Sequence, residues 1–116
     1  MHFDSPYNAI AVLMVFHFLG DFIFQTNRMA LNKSTDNTVL TEHVFWYSIL
    51  FAFVDFRFAI VNAVLHLGID YYSSRIGKKY WENENRRMFF ITVGADQLLH
   101  MLCLIYTYAL LVEGVK

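Results

Sequence analysis

Cysteine and charge are both scarce in this chain of 116 residues. Cys103 is the only cysteine, which excludes an intrachain disulfide and a thiolate cluster for a metal. A small buried apolar side chain is its expected role. Charged residues make up 16%, against about a quarter in an ordinary soluble domain. The formal net charge of -1 offers no basis for a nucleic-acid partner. The stretch from Met1 to Pro6 has neither a positive n-region nor a small-residue cleavage site, so the first hydrophobic helix is expected to be retained. No repeat of solenoid length and no low-complexity segment is visible.

Apolar residues fill the space: 57% of the chain is hydrophobic and 18% aromatic, with a mean hydropathy of +0.38. The charges are confined to a few short stretches. That pattern favours a multi-pass membrane protein over a soluble bundle, and the length suits one domain, 1–116.

The expected architecture is all-α, a four-helix up-down transmembrane bundle with helices at about 6–26, 38–54, 58–74 and 88–112. Ser5-Pro6 makes a helix start, with Ser5 as N-cap. The polar stretch 27–37, holding Arg28 and Lys33, reads as a loop. Trp46 and Tyr47 look interfacial. Asp55-Phe-Arg57 breaks the next apolar run, giving a tight hairpin with an ion pair at its tip; one continuous helix is the competing reading. Gly77 is expected to stop the third helix, and Tyr80-Trp81 in the charged segment 73–87 suits a membrane surface. Arg28, Lys33, Arg75, Lys78, Lys79, Arg86 and Arg87 lie in the two longer loops, and Arg57 and Lys116 on the other side. The positive-inside rule then turns both loops to the cytoplasm.

Within the apolar runs, a few polar residues recur at one spacing. His17-Phe-Leu-Gly-Asp21-Phe-Ile-Phe-Gln25 places an imidazole, a carboxylate and an amide four residues apart, and so on one helix face. The spacing returns as His66-x-x-x-Asp70 and, reversed, as Asp96-x-x-x-His100. Reversal is what an antiparallel helix requires to keep His deep and Asp shallow. The expected result is a layer of His17, His66 and His100 with Asp21, Asp70 and Asp96 about one turn nearer the cytoplasm, all in one leaflet, and His43 within reach.

Isolated ionisable groups at such depth are costly, so they pair or bind a cation. Imidazole with carboxylate suits a divalent transition metal, Zn, Mn or Fe, and His17, Asp21, His43, His66, Asp70, Asp96 and His100 are the candidate ligands for one or two ions. A polar core without metal is the alternative. Gln25 and Gln97 are read as hydrogen-bonding groups behind the ligands, Glu42 as solvated, and His2 as merely terminal.

These motifs, with His43 opening the second helix and Asp96-Gln97-x-x-His100 in the fourth, resemble a domain-of-unknown-function family of small integral membrane proteins of bacteria and tailed phages. The resemblance covers most of the chain and implies a membrane location, the bacterial inner membrane or, for a phage protein, that of the host. A looser similarity, resting on His and Asp in a small helical frame, is to bacterial inner-membrane proteins predicted to be metal-dependent hydrolases.

Three functions follow as expectations. The first is a metal-dependent hydrolase of a phosphoester-like substrate at the cytoplasmic face, with Asp21 and Asp96 as candidate bases and the basic loops attracting an anionic lipid. The second is a metal-ion or proton transporter, for which paired His-x-x-x-Asp motifs resemble cation-diffusion ligand sets. The third is a non-catalytic phage membrane factor that blocks or modifies a host component. A homo-oligomer or a host membrane protein is the expected protein partner.

Overall fold

Among the described residues there are five α-helices, and each starts on a side chain that takes up an otherwise unpaired backbone N–H. In a computed structural model, which describes residues 3–113, α1 spans Pro6–Phe18, α2 Asn27–Asn32, α3 Asn37–Ala52, α4 Phe56–Glu82 and α5 Arg86–Thr107. Ser5 accepts from the Asn8 N–H, Thr26 from Met29, Asp36 from Thr38 and Val39, Asp55 from Phe58, and Asn85 from Met88. Each such cap is worth about 1 kcal/mol. No strand occurs among the described residues. His2 and Lys116, given roles above, lie outside them.

Five helices replace the expected four. The stretch read as a loop contains α2, which Thr26 caps. The third helix does not stop at Gly77, which lies buried against α5, where an added Cβ would stand 3.7 Å from the Phe89 ring. It runs on to Glu82. There the Asn85 N–H donates to Tyr80 O at 2.9 Å and the Glu84 N–H to Trp81 O at 3.1 Å, with Glu84 at φ 60. That is a Schellman close, with glutamate where glycine is usual. The hairpin between α3 and α4 does form, but its charges engage other partners. Asp55 caps α4, and Arg57 donates to the Leu111 carbonyl at 3.4 Å.

Successive long helices run antiparallel, and matched contacts set their register. On α3 and α4, Phe51 meets Phe58 edge-on at 5.8 Å; α1 reaches α3 through Phe16 and Phe51 at 6.1 Å. Asn62 ties α4 to α5 by donating to Thr107 Oγ1 at 2.8 Å. One half of the bundle interior is apolar, built from Ala9, Leu13, Phe51, Phe58 and Leu104 around Tyr47. The other half holds the polar groups. Among the described residues, two helices are long and apolar enough to cross a bilayer, Pro6–Ile23 and Arg86–Val112. α3, at 16 residues, is shorter than a comfortable span, and the last part of α4 carries Arg75, Lys78 and Lys79.

Below Phe18 the first helix widens into a π-helical turn, Leu19–Ile23, closed by Phe24 N–H to Leu19 O at 2.8 Å. Gly20 in that turn lets α1 approach α3: a Cβ there would stand 2.8 Å from Tyr47 Cδ2 and 3.3 Å from the Tyr47 backbone. Gly68 has nothing within 4 Å of its own added Cβ. Gly20→Ala is therefore expected to destabilise the protein by about 1–2 kcal/mol, and Gly68→Ala to stabilise it by about 0.5–1 kcal/mol. Thermal unfolding in one detergent measures both.

Candidate metal centre

Four helices deliver polar side chains to one buried point. His17 and Asp21 come from the end of the first helix, His43 from the start of α3, His66 and Asp70 from the middle of α4, and Asp96 and His100 from α5. All seven are at most 8% exposed. The imidazoles form a stacked tier: His66 lies between the rings of Tyr47, at 3.9 Å, and His100, at 4.0 Å, and His17 stands 5.7 Å from both Tyr47 and His100.

Asp21 does not pair with His17, its neighbour four residues back. The separation is 4.0 Å, and the π-helical turn presents Asp21 to α3 and α4 instead. Its Oδ1 lies 3.1 Å from His43 Nε2 and 3.5 Å from His66 Nε2. Asp70 Oδ2 lies 3.3 and 3.4 Å from the same two nitrogens, which are 3.2 Å apart. Asp21, His43, His66 and Asp70 thus form one group whose ligand atoms all lie within 4.8 Å of one another. Asp21, Asp96 and His100 form a second, with His100 Nε2 3.1 Å from Asp96 Oδ1 and 3.4 Å from Asp70 Oδ1.

His17 stands apart from both groups. Gln97 Oε1, which can only accept, lies 2.6 Å from His17 Nε2, so that nitrogen donates; Nδ1, 2.9 Å from the Tyr47 hydroxyl, accepts. Neither nitrogen is left with a free lone pair. Gln97 orients the carboxylates as well, donating to Asp21 Oδ2 at 2.8 Å and Asp96 Oδ2 at 3.1 Å. Ser73 donates to Asp96 Oδ1.

Several contributors lay outside the sequence reading. Lys33, assigned above to a loop, reaches in to Asp70 Oδ2 at 3.1 Å with its side chain only 17% exposed. Tyr47, read with Trp46 as interfacial, is 1% exposed while Trp46 is 47% exposed. The spacing did contain that signal, since Tyr47 follows His43 by four residues. Nothing local marked Lys33 or Ser73. Glu42 pairs with Arg28 at the surface. Cys103 is only partly buried. Asn62, buried, donates to Phe58 O and Thr107 Oγ1 and so closes the α4–α5 contact.

Beside the cluster, on its carboxylate side, lies a cavity of about 600 Å³. Asp21, Asp70, Asp96 and Gln97 form its floor, and the walls are mostly apolar.

A family described as "Protein of unknown function (DUF3307)" matches residues 9–115. The chain belongs to that family. The match spans every residue of the cluster and brings no activity with it. No curated protein and no solved structure matches the chain.

Tyr47 holds the tier by stacking and by its hydroxyl. Tyr47→Phe keeps the ring and strips His17 Nδ1 of its donor, and the expected cost is about 1–2 kcal/mol. Thermal unfolding checks it, with an unchanged far-UV circular dichroism spectrum expected at low temperature.

Proposed function

We propose that this protein is a membrane-embedded zinc protein that hydrolyses a phosphoester at the cytoplasmic face of the inner membrane. One observation carries the metal reading. Five of the six edges among His43 Nε2, His66 Nε2, Asp21 Oδ1 and Asp70 Oδ2 measure 3.1 to 3.5 Å, and the two carboxylates come within 4.8 Å of each other. A tetrahedron around an ion with bonds of about 2.0–2.1 Å has edges of about 3.3–3.4 Å. Hydrogen bonds alone do not join these atoms, because each Nε2 carries at most one proton and faces three partners. One cation meets all four lone pairs, and two nitrogens with two oxygens in that shape suit zinc.

Four protein ligands close a site, whereas catalysis calls for an open position. The second group supplies one. Asp21, Asp96 and His100 are three ligands, and both carboxylates also line the cavity. An ion there would lower the pKa of its water toward neutrality, with Asp96 placed to take a proton. Asp21, shared by the two groups, would join them.

A membrane setting is supported by the exposed apolar surface, including Val15, Phe18, Val64, Phe90 and Leu110 at 55%, 52%, 67%, 65% and 63%. Lys33, Arg75 and Arg86 stand at the cluster's end of the bundle, near Asp70, Asn37 and Trp81 respectively, which supports the cytoplasmic orientation. The opposite half is an apolar core in which Asn62 is already hydrogen-bonded, so transport finds no polar route there.

Metal content of protein purified without chelators, read by mass spectrometry, is expected to show at least one equivalent of zinc. The pair His43→Ala/His66→Ala should lose it, and His17→Ala should keep it. A folded wild-type protein without stoichiometric metal would overturn the proposal. Asp96→Asn lies outside the tetrahedral group, so it should retain that zinc while phosphate release from phosphomonoesters falls by about a hundredfold or more.

A further inference from the structure

We infer that the cavity beside the cluster takes a long-chain phosphate ester, with its phosphate against Lys33 and its chain along the apolar wall. The inference rests on the hydrolase reading above and names the substrate class for that site.

The cavity, at about 600 Å³, is in the range that holds a small ligand. Its two ends differ in chemistry. Two lysines line the cavity; Lys78 is exposed and pairs with Glu82, whereas Lys33 Nζ lies 3.1 Å from Asp70 Oδ2 among the carboxylates, its side chain 17% exposed. A lysine drawn this far inside a carboxylate cluster is placed to neutralise an anion that approaches an ion held there. Two polar atoms of the lining, Ser74 Oγ and Gln25 Oε1, are shielded from solvent and have no hydrogen-bond partner. Buried groups of that kind cost free energy until something meets them. A phosphate ester head brings oxygens for Ser74 and Lys33, and the Gln25 amide turns either end to suit it.

The rest of the lining is mainly apolar, Leu31, Trp81, Phe89 and Val93 with Phe22 and Phe90. Of its polar members, Ser73 and Thr92 already donate to Asp96 and the Met88 carbonyl, while Lys78 pairs with Glu82. A soluble sugar phosphate or nucleotide would place hydroxyls or a polar base against these side chains without partners. An alkyl chain meets them at no such cost. Phe22, Leu31 and Phe90 line the cavity and also reach the surface, exposed by 49%, 77% and 65%. Phe22 and Phe90 belong to the two segments long and apolar enough to cross a bilayer. A chain leaving past them enters the same medium that the outer faces of those segments occupy, so the ester need not leave the membrane to reach the carboxylates.

Trp81 in the cavity wall provides the readout, since Trp46 is the only other tryptophan. The full chain carrying Trp46→Phe would be placed in phosphatidylcholine nanodiscs and titrated with phosphatidate brominated in the upper chain. The matched brominated phosphatidylcholine is the control. Saturable quenching of Trp81 is expected at about tenfold lower mole fraction for phosphatidate. Lys33→Gln should bring the two lipids within about twofold of each other, and Lys33→Arg should restore most of the difference. Glycerol 3-phosphate in about hundredfold excess should not relieve the quenching, since the chain supplies much of the binding.

Equal quenching by both lipids would overturn the inference, as would full displacement by glycerol 3-phosphate. So would a Lys33→Gln variant that is folded and still selective. Metal content, measured on the same samples, keeps the two readings separate. Stoichiometric zinc without head-group selectivity removes this inference and leaves the metal centre. Selectivity without zinc keeps the ligand class and removes the hydrolase.

Discussion

Three carboxylates and four imidazoles sit in the interior of a bundle that is otherwise apolar. Each would be costly there alone, and the structure around them partners all but the buried Nδ1 of His66. Gln97 donates to two of the aspartates while accepting from His17, Tyr47 serves His17 and stacks on His66, and Lys33 and Ser73 reach Asp70 and Asp96 from outside the tier. The one arrangement that hydrogen bonds leave over-subscribed is the group of His43, His66, Asp21 and Asp70. Its atoms lie 3.1 to 3.5 Å apart across five contacts and could hold a shared cation.

That constraint also accounts for irregularities nearby. The first helix departs from α geometry where Asp21 must face α3 and α4 rather than His17. Gly20 occupies the same turn because Tyr47 has to pack against the helix backbone there. α4 persists through Gly77, where α5 lies against it, and ends only at the Glu84 turn. α2, absent from the sequence reading, leads directly into Lys33 and so places that ammonium at the cavity floor. The apolar half, packed through Phe51, Phe58 and Leu104, has a π-helical turn of its own, Tyr108–Val112, at the end of α5.

The division of the molecule into a polar and an apolar half also shapes what it can do. Away from the cluster the interior is apolar, and Asn62 and Thr107 there are hydrogen-bonded to each other. Chemistry at one end requires only an accessible face on the cluster. The cavity gives that face to Asp21, Asp70 and Asp96, while His43 and His66 lie away from its lining. The carboxylates are thus the part of the cluster that the cavity reaches, and His43 and His66 lie behind them.

The sequence alone determined the helical class, the apolar character and the family resemblance. It also marked the three His/Asp pairs, because four-residue spacing puts two side chains on one helix face wherever that helix is placed. His43 was readable for a similar local reason, and so was a hairpin, expected with its tip at 55–57 and found with its turn at 53–55. Tertiary structure decided the rest. Which carboxylate meets which imidazole depends on helix register and on one π-helical turn, and neither leaves a mark at fixed spacing. Thus Asp21 passes over His17 for His43 and His66, and His17 spends both nitrogens on Tyr47 and Gln97. Lys33 shows the limit most plainly. It lies in a polar stretch and is 37 residues from Asp70, so only the packing of α2 against α3 could bring that charge to the floor of the cavity.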